Sequence, residues 1–92
     1  MNQQRFTWDE KKRRANLKKH GLDFIYAQNV FDTSVHTYED KRYFYNEQRF
    51  ILLGYLNGVP VSITYTEDDY EIRIISFRKA SRRDTEFFHF NT

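Results

Sequence analysis

Residues 50–78 read FILLGYLNGVPVSITYTEDDYEIRIISFR and contain the clearest secondary-structure signals in the chain. The segment from Arg49 to Leu56 is typical of a buried strand. Asn57-Gly58 predicts a two-residue hairpin turn, because both turn positions need residues that tolerate positive φ. The returning segment, Val59 to Thr66, alternates apolar and polar residues with a period of two. We therefore predict two antiparallel strands joined by a tight turn.

A third strand is predicted from Tyr70 to Arg78, after an acidic turn at Glu67 to Asp69. Its residues are apolar on both faces, which is typical of a strand in the centre of a sheet. Two shorter segments, Arg5 to Trp8 and Val35 to Glu39, are also compatible with strands. Because the three strong strands are consecutive in the chain, the sequence predicts an antiparallel meander.

Helix signals come before the strong strands. Asp9 is a suitable N-cap for a helix that runs to about Lys19, and Gly21 is placed to end it. Asp23 is the corresponding cap for a second helix, from about Phe24 to Phe31, in which apolar residues recur at helical spacing. The sequence therefore predicts two N-terminal helices.

Near the C-terminus, Ser81 is followed three residues later by Asp84, a pattern that resembles a capping box and predicts a short helix. The predicted fold class is α+β, with two N-terminal helices, an antiparallel β-meander and a short C-terminal helix. Ninety-two residues give room for one domain, which we place at residues 1–92.

Composition excludes several classes of protein. Only 39% of the residues are apolar, but 18% are aromatic, and each buried ring removes a large area from water, so we expect a globular chain. The absence of cysteine excludes a disulfide scaffold, a thiol nucleophile and a thiolate metal site. Because no apolar run is long enough to span a membrane and the N-terminus has no apolar signal core, we expect a cytoplasmic protein without membrane contact.

Charge is arranged in blocks that the net charge of +2 conceals. Residues 1–20 carry seven Lys or Arg against two acids, residues 21–72 carry nine acids against three bases, and residues 73–92 carry five bases against two acids. If the basic ends meet in the fold, their combined field attracts nucleic acid. The alternative is that the ends only neutralise the acidic middle.

A longer pattern covers nearly the whole chain. Its elements are, in order, Phe6-x-Trp8-Asp9-x-x-Lys12-x-x-x-Asn16-x-x-Lys19-His20-Gly21, Val30-Phe31-Asp32, Glu47-x-Arg49, Gly54, Tyr65-Thr66 and Ile72-Arg73-Ile74-Ile75-Ser76-x-Arg78-Lys79-Ala80. This pattern resembles the BrnT-type toxins, ribonuclease toxins of bacterial type II toxin-antitoxin systems. The Lys-His-Gly junction and the Ile-Arg-Ile-Ile-Ser strand occur together in the expected order, which makes the likeness specific.

The resemblance implies a compact RelE-like toxin fold and an endoribonuclease activity that shuts down translation. It also implies neutralisation by a BrnA-type antitoxin with a ribbon-helix-helix DNA-binding region, and a complex that binds its own operator DNA through the antitoxin. The chain departs from the family at three positions. It has Asn46 where the family often has glycine, Phe77 where alanine is common, and Asp68 where a basic residue is frequent. These departures concern how RNA is held near one edge and leave the basic framework intact.

Cleavage of RNA without a metal requires a group that takes the 2′-hydroxyl proton, cations that stabilise the phosphorane, and a donor for the leaving 5′-oxygen. No spacing of His and carboxylate residues suggests a metal site, so we expect neither a metal nor a cofactor. His20 is the first proton-transfer candidate, because a neutral imidazole acts as base or acid near pH 7. Its alternative role is to complement the dipole at the C-terminus of the first helix.

The cationic candidates come from the strands. Arg73 lies inside an otherwise apolar strand, where it needs a partner or solvent, and its structural alternative is a salt bridge to Glu47 or to an acid of the Glu67 to Asp69 turn. Arg78 lies five positions later, so a regular pleat places it on the opposite face unless a bulge intervenes. Glu47 shares a face with Arg49 if this segment is extended, and is either a general base or an orienter of Arg49. The predicted catalytic residues are His20, Glu47, Arg49, Arg73 and Arg78.

Four further residues are predicted to bind RNA. Lys12 and Lys19 share one helix face and, with Lys79, are candidates to follow the RNA backbone. Alternatively, the two helix lysines only form a solvated face of the helix. Tyr65 is a candidate for stacking on a base, although aromatic residues in strands more often belong to the core.

The C-terminal helix is predicted to bind the antitoxin or a second copy through Phe87, Phe88 and Phe90, because these rings form more aromatic surface than a monomer usually exposes. The competing function is that of a non-catalytic, basic nucleic-acid-binding module. Such a module binds RNA without cutting it, but no RNP-type aromatic signature or helix-turn-helix signal supports it.

Overall fold

The structure is a computed structural model that describes residues 4–42 and 46–91, and the side chains of residues 87–91 lie outside that description. The elements in chain order are β1 (Arg5–Trp8), α1 (Glu10–His20), a 3-10 turn (Phe24–Tyr26), α2 (Ala27–Phe31), β2 (His36–Glu39), β3 (Phe50–Leu56), β4 (Val59–Glu67), β5 (Glu71–Lys79) and α3 (Arg82–Asn91). The strands form one sheet in the order β1-β5-β4-β3-β2. In this sheet β1 runs parallel to β5, and the other neighbouring pairs are antiparallel.

The three strong strands lie within one residue of their predicted ends, as β3, β4 and β5. The turn between β3 and β4 has φ values of 51° at Asn57 and 80° at Gly58, as a two-residue hairpin turn requires. The two shorter segments compatible with strands are present as β1 and β2, at the two edges of the sheet. Local pattern therefore located all five strands of the described chain.

Helix boundaries follow the predicted caps. The Asp9 carboxylate accepts hydrogen bonds from the backbone N–H groups two and three residues later, at 2.8 and 3.1 Å, and α1 ends at Gly21, whose φ is 71°. At the start of α3, the Ser81 hydroxyl accepts from the Asp84 N–H at 3.1 Å, and the Asp84 carboxylate accepts from the Ser81 N–H at 2.7 Å. The predicted capping box is therefore confirmed.

The predicted fold, a RelE-like α+β arrangement of two N-terminal helices, an antiparallel meander and a C-terminal helix, is wrong. The sheet is mixed, because β1 pairs with β5 in parallel, with Arg5 opposite Glu71. Periodicity within a short window cannot reveal a partner so far along the chain. The second predicted helix is a 3-10 turn followed by only five α-helical residues. Apolar residues every three to four positions fit both kinds of helix, so the spacing did not distinguish them.

One face of the sheet is covered by the helical segments and forms the main core. Phe24 and Val30 are fully buried there against β3, β4 and β5. Gly54 allows the close approach of this layer, because a Cβ at that position would lie 2.9 Å from Val30 Cγ1 and 3.1 Å from two backbone carbonyl oxygens. The opposite face holds a smaller apolar cluster around Ile51 and Leu53, and the polar side chains of the candidate site lie on that same face.

Asn16 joins α1 to the edge of the sheet. β1 pairs with β5 only as far as Ile74, which leaves the outer edge of β5 open beyond that point. The Asn16 side chain takes the place of a strand: its Nδ2 donates to the Phe77 carbonyl oxygen at 2.7 Å, and its Oδ1 accepts from the Phe77 N–H at 3.1 Å. Nδ2 also donates to the Leu22 carbonyl oxygen at 2.9 Å. One buried amide therefore connects the helix, the following loop and β5.

Candidate functional site

Arg73 and Arg78 lie on the same face of β5, although five positions separate them. Thr64 of β4 pairs with Ser76, but the next residue of β4 pairs with Ile74, so Ile75 is an extra residue in β5. As a result, Arg78 lies opposite Ser62 and Arg73 lies opposite Thr66. Ser62 and Thr66 are four positions apart in β4 and point to the same side, so the two arginines do too. Of the two arrangements that the sequence allowed, the bulge is the one observed.

Arg49 lies beside Arg73 on this face. Phe50 pairs with Tyr65, so Arg49 is level with Thr66, the residue that pairs with Arg73. Glu47 connects the two arginines: its Oε2 accepts from Arg73 Nη2 at 2.6 Å, and its Oε1 accepts from Arg49 Nε and Nη2, both at 3.3 Å. These three residues form the Glu47 cluster.

The pKa of Glu47 reflects its two cationic neighbours. Desolvation alone would raise the pKa, but the hydrogen bonds and charges of Arg73 and Arg49 together lower it below its ordinary value of 4.5. The carboxylate is therefore ionised near pH 7 and is a weak base. Of the two roles predicted for Glu47, this arrangement suits the orientation of arginines better than proton abstraction.

Arg78 lines a cleft of about 320 Å³ beside the start of α3. Arg78 Nη1 donates to Asp84 Oδ2 at 2.7 Å and to the Lys79 carbonyl oxygen at 3.1 Å. The lining contains three arginines and one carboxylate, and a second carboxylate, Asp40, accepts from the lining residue Arg42 at 2.9 and 3.1 Å. Three guanidinium groups against two carboxylates leave the cleft with a positive balance. We call this site the Arg78 cleft, and its lining residues are Tyr38, Arg42, Arg78, Ser81, Arg83 and Asp84.

Asp84 holds Arg78 and caps α3 with the same carboxylate. Burial alone would raise the pKa of Asp84, but hydrogen bonds from the Ser81 backbone, Arg78 and the Ser81 hydroxyl together lower it below its ordinary value of 3.8. A lowered folded-state pKa means that the ionised carboxylate stabilises the fold above the ordinary pKa, and that this stabilisation is lost as the pH falls through the folded-state value.

Asp84→Asn is therefore expected to lower the free energy of unfolding near pH 7 by about 1 kcal/mol, the usual cost of a weakened helix cap. The difference from the wild type should shrink as the pH falls well below 3.8, because the wild-type carboxyl then becomes neutral too. Urea unfolding near pH 7 and well below pH 3.8 measures the difference in the free energy of unfolding between the variant and the wild type. Glu86→Gln, which neutralises an exposed acid of the same helix, is the control and should show neither effect. If Asp84→Asn lowered the free energy of unfolding equally at both pH values, the ionised state of Asp84 would not be the source of the stabilisation.

His20 is the last residue of α1 and is partly buried. Its pKa is lowered below 6.5 by that burial and by the positive charges of Lys19 and Arg78. The imidazole is therefore mainly neutral near pH 7 and able to accept a proton. The structure places His20 within electrostatic range of Arg78, although it is not among the residues that line the Arg78 cleft.

The predicted RNA-binding residues fall into two groups. Lys12, Lys19 and Lys79 are exposed. Tyr65 is only 4% exposed and packs against Phe31 and Phe50, and its burial raises its pKa to about 12. Its ring belongs to the core, the more frequent position of an aromatic residue in a strand, and is not available for stacking on a base.

The predicted partner-binding residues Phe87, Phe88 and Phe90 lie in α3, but their side chains are outside the described part of the structure. The structure therefore adds nothing to that prediction.

Three neighbours of Arg78 were not predicted from the sequence. Tyr38 belongs to the short edge strand β2, and Arg42 follows that strand, so only the pairing of β2 with β3 brings them near Arg78. Arg83 was within reach of sequence reasoning, because the Ser81–Asp84 capping box fixes the start of α3 and places Arg83 in its first turn. By itself the capping box predicts only where the helix begins.

No three His, Asp or Glu side chains within residues 4–42 and 46–86 form a group that could hold a metal ion. The acids nearest the candidate arginines pair with guanidinium groups, as Glu47 and Asp84 do. Among the helices that the structure describes, none has the length and apolar character needed to cross a membrane.

Comparison with known protein families gives one finding that bears on both sites. The sequence model of the family described as the ribonuclease toxin BrnT, of type II toxin-antitoxin systems, matches residues 8–84. Every residue of the Glu47 cluster and the Arg78 cleft lies within the match. Comparison with curated protein sequences gives no match. Because the family match spans most of the chain and confirms the resemblance seen in its motifs, this chain belongs to the BrnT family of ribonuclease toxins of type II toxin-antitoxin systems.

Proposed function

We propose that this chain is an endoribonuclease that cleaves RNA by metal-independent attack of the substrate's own 2′-hydroxyl group. The observation that carries the proposal is the extra residue Ile75, because it brings Arg73 and Arg78 to the same face of the sheet. Arg49 lies on the same face as Arg73, so three guanidinium groups lie on one side, where Glu47 and Asp84 hold them in ion pairs. Guanidinium groups bind phosphate oxygens in bidentate geometry, which suits this face to an RNA backbone.

The two cationic sites are separated by a distance that suits an extended strand. Arg78 and Arg73 lie opposite β4 residues four positions apart, which is about 13 Å at roughly 3.3 Å per residue. Contacts to phosphates at two such points position a strand without reading its sequence. We propose that the scissile phosphate lies at the Arg78 cleft, and that another part of the backbone competes with Glu47 for Arg49 and Arg73.

In the proposed reaction the 2′-oxygen attacks the phosphorus, and the bond between phosphorus and the 5′-oxygen breaks. The products are a 2′,3′-cyclic phosphate and a 5′-hydroxyl end. His20 takes the proton of the 2′-hydroxyl group, since its lowered pKa favours the neutral imidazole, and the leaving 5′-oxygen takes a proton from water. Arg78 stabilises the added negative charge of the phosphorane.

The supporting roles follow from position. Glu47 holds Arg49 and Arg73 in place before RNA binds. The exposed side chains of Lys12, Lys19 and Lys79 add long-range attraction for RNA, which is expected to weaken as salt concentration rises.

The family match also bears on the partner and the cellular role. Membership of a type II toxin-antitoxin family implies an antitoxin. We propose that it is of the BrnA type, with a ribbon-helix-helix region through which the complex binds operator DNA. We further propose that RNA cleavage takes place in the cytoplasm and inhibits translation, and that Phe87, Phe88 and Phe90 contribute to partner binding.

Incubation of the purified, antitoxin-free protein with a defined RNA in EDTA tests the proposed reaction. We expect fragments whose upstream ends carry a 2′,3′-cyclic phosphate, because no step of the proposal uses a metal. Mapping of both ends identifies the products. Cleavage that appears only when a divalent cation is restored would contradict the metal-independent route. RNA that stays intact but shifts in a gel would favour the non-catalytic binding module.

A further inference from the structure

A second groove lies on the helical side of the molecule, away from the arginine face. It has a volume of about 400 Å³ and lies between the C-terminal end of α1, the loop after it and the turn between β3 and β4. Leu22 and Leu56 at this groove pack on the main core, which lies on the face opposite Arg73 and Arg78. The groove is therefore distinct from the Glu47 cluster and the Arg78 cleft.

The rim of the groove contains exposed apolar residues. Leu17 is 38% exposed and Tyr26 is 50% exposed, and both line it. Two further exposed apolar residues are close by in sequence: Ile25 precedes Tyr26, and Val59 pairs with the groove residue Leu56. Of the exposed large apolar residues in the described chain, only Tyr70 is unconnected with the groove. Apolar side chains gathered in one place usually mark a surface for another protein.

The charge around the groove favours an acidic partner. Its only acidic lining residue, Asp23, already accepts hydrogen bonds from Arg13 at 3.2 and 3.3 Å and from the Ile25 N–H at 3.2 Å. The exposed Arg14 and Lys18 flank Leu17 on α1. The rim therefore presents apolar contacts bordered by positive charge.

We propose that this groove binds the antitoxin, through a segment that presents large apolar side chains flanked by carboxylates. The family match supplies the partner, and the charge of the rim favours it over a second copy of the chain. In a symmetric dimer each groove would face the same basic rim, and like charges would repel. Free RNA is disfavoured by the apolar lining.

The position of the groove also suggests how docking affects the toxin. Gly21 lines the groove, and the preceding residue, His20, is the proposed proton acceptor. An antitoxin segment in the groove therefore contacts the residue next to His20 in the chain, and its bulk is expected to restrict access of RNA to this end of α1. This link to neutralisation rests on the proposed function, whereas the docking itself rests only on the groove and on the antitoxin of the family.

The test is a calorimetric titration of the purified chain with its cognate antitoxin, in the absence of RNA. Leu17→Glu and Tyr26→Glu are each expected to weaken binding by at least about 10-fold, because each places a carboxylate in the apolar contact. Lys18→Glu should weaken binding mainly at low salt, since it reverses a charge at the rim. Tyr70→Glu is the matched control, because Tyr70 is 78% exposed but lies elsewhere, and it should bind as the wild type does.

Urea unfolding of each variant checks the fold, and Tyr26→Ser is the milder substitution if a glutamate prevents folding. Wild-type affinity in folded Leu17 and Tyr26 variants would overturn the proposal. An equal loss of antitoxin affinity in Tyr70→Glu would also overturn it. So would groove variants that change self-association of the chain but leave antitoxin binding unchanged. Because the titration contains no RNA, its outcome is independent of whether the chain cleaves RNA.

Discussion

Replacing Arg78 by alanine is expected to lower the rate constant for RNA cleavage by about two orders of magnitude, the usual cost of removing one donor to a developing oxyanion. Arg78 is the arginine of the cleft that also lies within electrostatic range of His20, so its loss removes the cation that is proposed to stabilise the phosphorane beside the proton transfer. Single-turnover cleavage of a defined RNA in EDTA measures the effect. In cells, the variant should no longer arrest growth.

Further variants separate the effect on chemistry from effects on folding and on net charge. Arg78→Ala leaves the Asp84 carboxylate, which is largely buried, without its guanidinium partner. The double variant Arg78→Ala/Asp84→Asn removes that unpaired charge and should be folded but still inactive. Arg5→Ala removes an exposed arginine from β1 and controls for net charge, so it should cleave RNA at nearly the wild-type rate. A stably folded Arg73→Ala/Arg78→Ala variant that is fully toxic would exclude both arginines from the mechanism.

Asn16→Ala is expected to lower the free energy of unfolding by about 3 kcal/mol. The substitution leaves the N–H and the carbonyl of Phe77 without the partner that closes the edge of β5, and each unpaired buried group costs about 1–3 kcal/mol. Partial access of water to the edge offsets some of this cost. Equilibrium unfolding in urea, at a fixed pH and salt concentration, measures the difference.

The control for this prediction is Asn29→Ala, which removes an exposed asparagine from α2. Its effect should stay within about 0.5 kcal/mol, as for most surface substitutions. If Asn16→Ala were equally harmless, the Asn16 amide would not be the group that closes the edge of β5. The prediction concerns stability alone, because Asn16 belongs to neither cationic site.

The parts of the fold that depend on neighbouring residues could be predicted well. Asn57-Gly58 located the central hairpin, because few residue pairs adopt positive φ twice in succession. Asp9, Gly21 and the Ser81–Asp84 box located the ends of α1 and the start of α3, because a cap satisfies backbone groups only a few residues away. The parallel pairing of β1 with β5 was not predicted, because it joins opposite ends of the chain.

In the candidate site, too, some features could be predicted from the sequence and others depended on strand pairing. The residue types were visible in the sequence, and an arginine within an apolar strand was a sound reason to single out Arg73. An ion pair with Glu47 or with an acid of the Glu67 to Asp69 turn was the alternative to catalysis, and the structure contains the pair with Glu47, at 2.6 Å. Tyr38 and Arg42 were not foreseen beside Arg78, since their position depends on strand pairing.

By itself, the sequence determined the strands, the caps, the family and the basic character of the chain's ends, because each of these follows from residue identity over short distances. Tertiary structure alone decided that Arg73 and Arg78 share a face, since a single extra residue, Ile75, reverses the alternation of side chains along β5. It also decided which carboxylate holds each arginine. Such pairings depend on the register between strands, and register is a property of the assembled sheet.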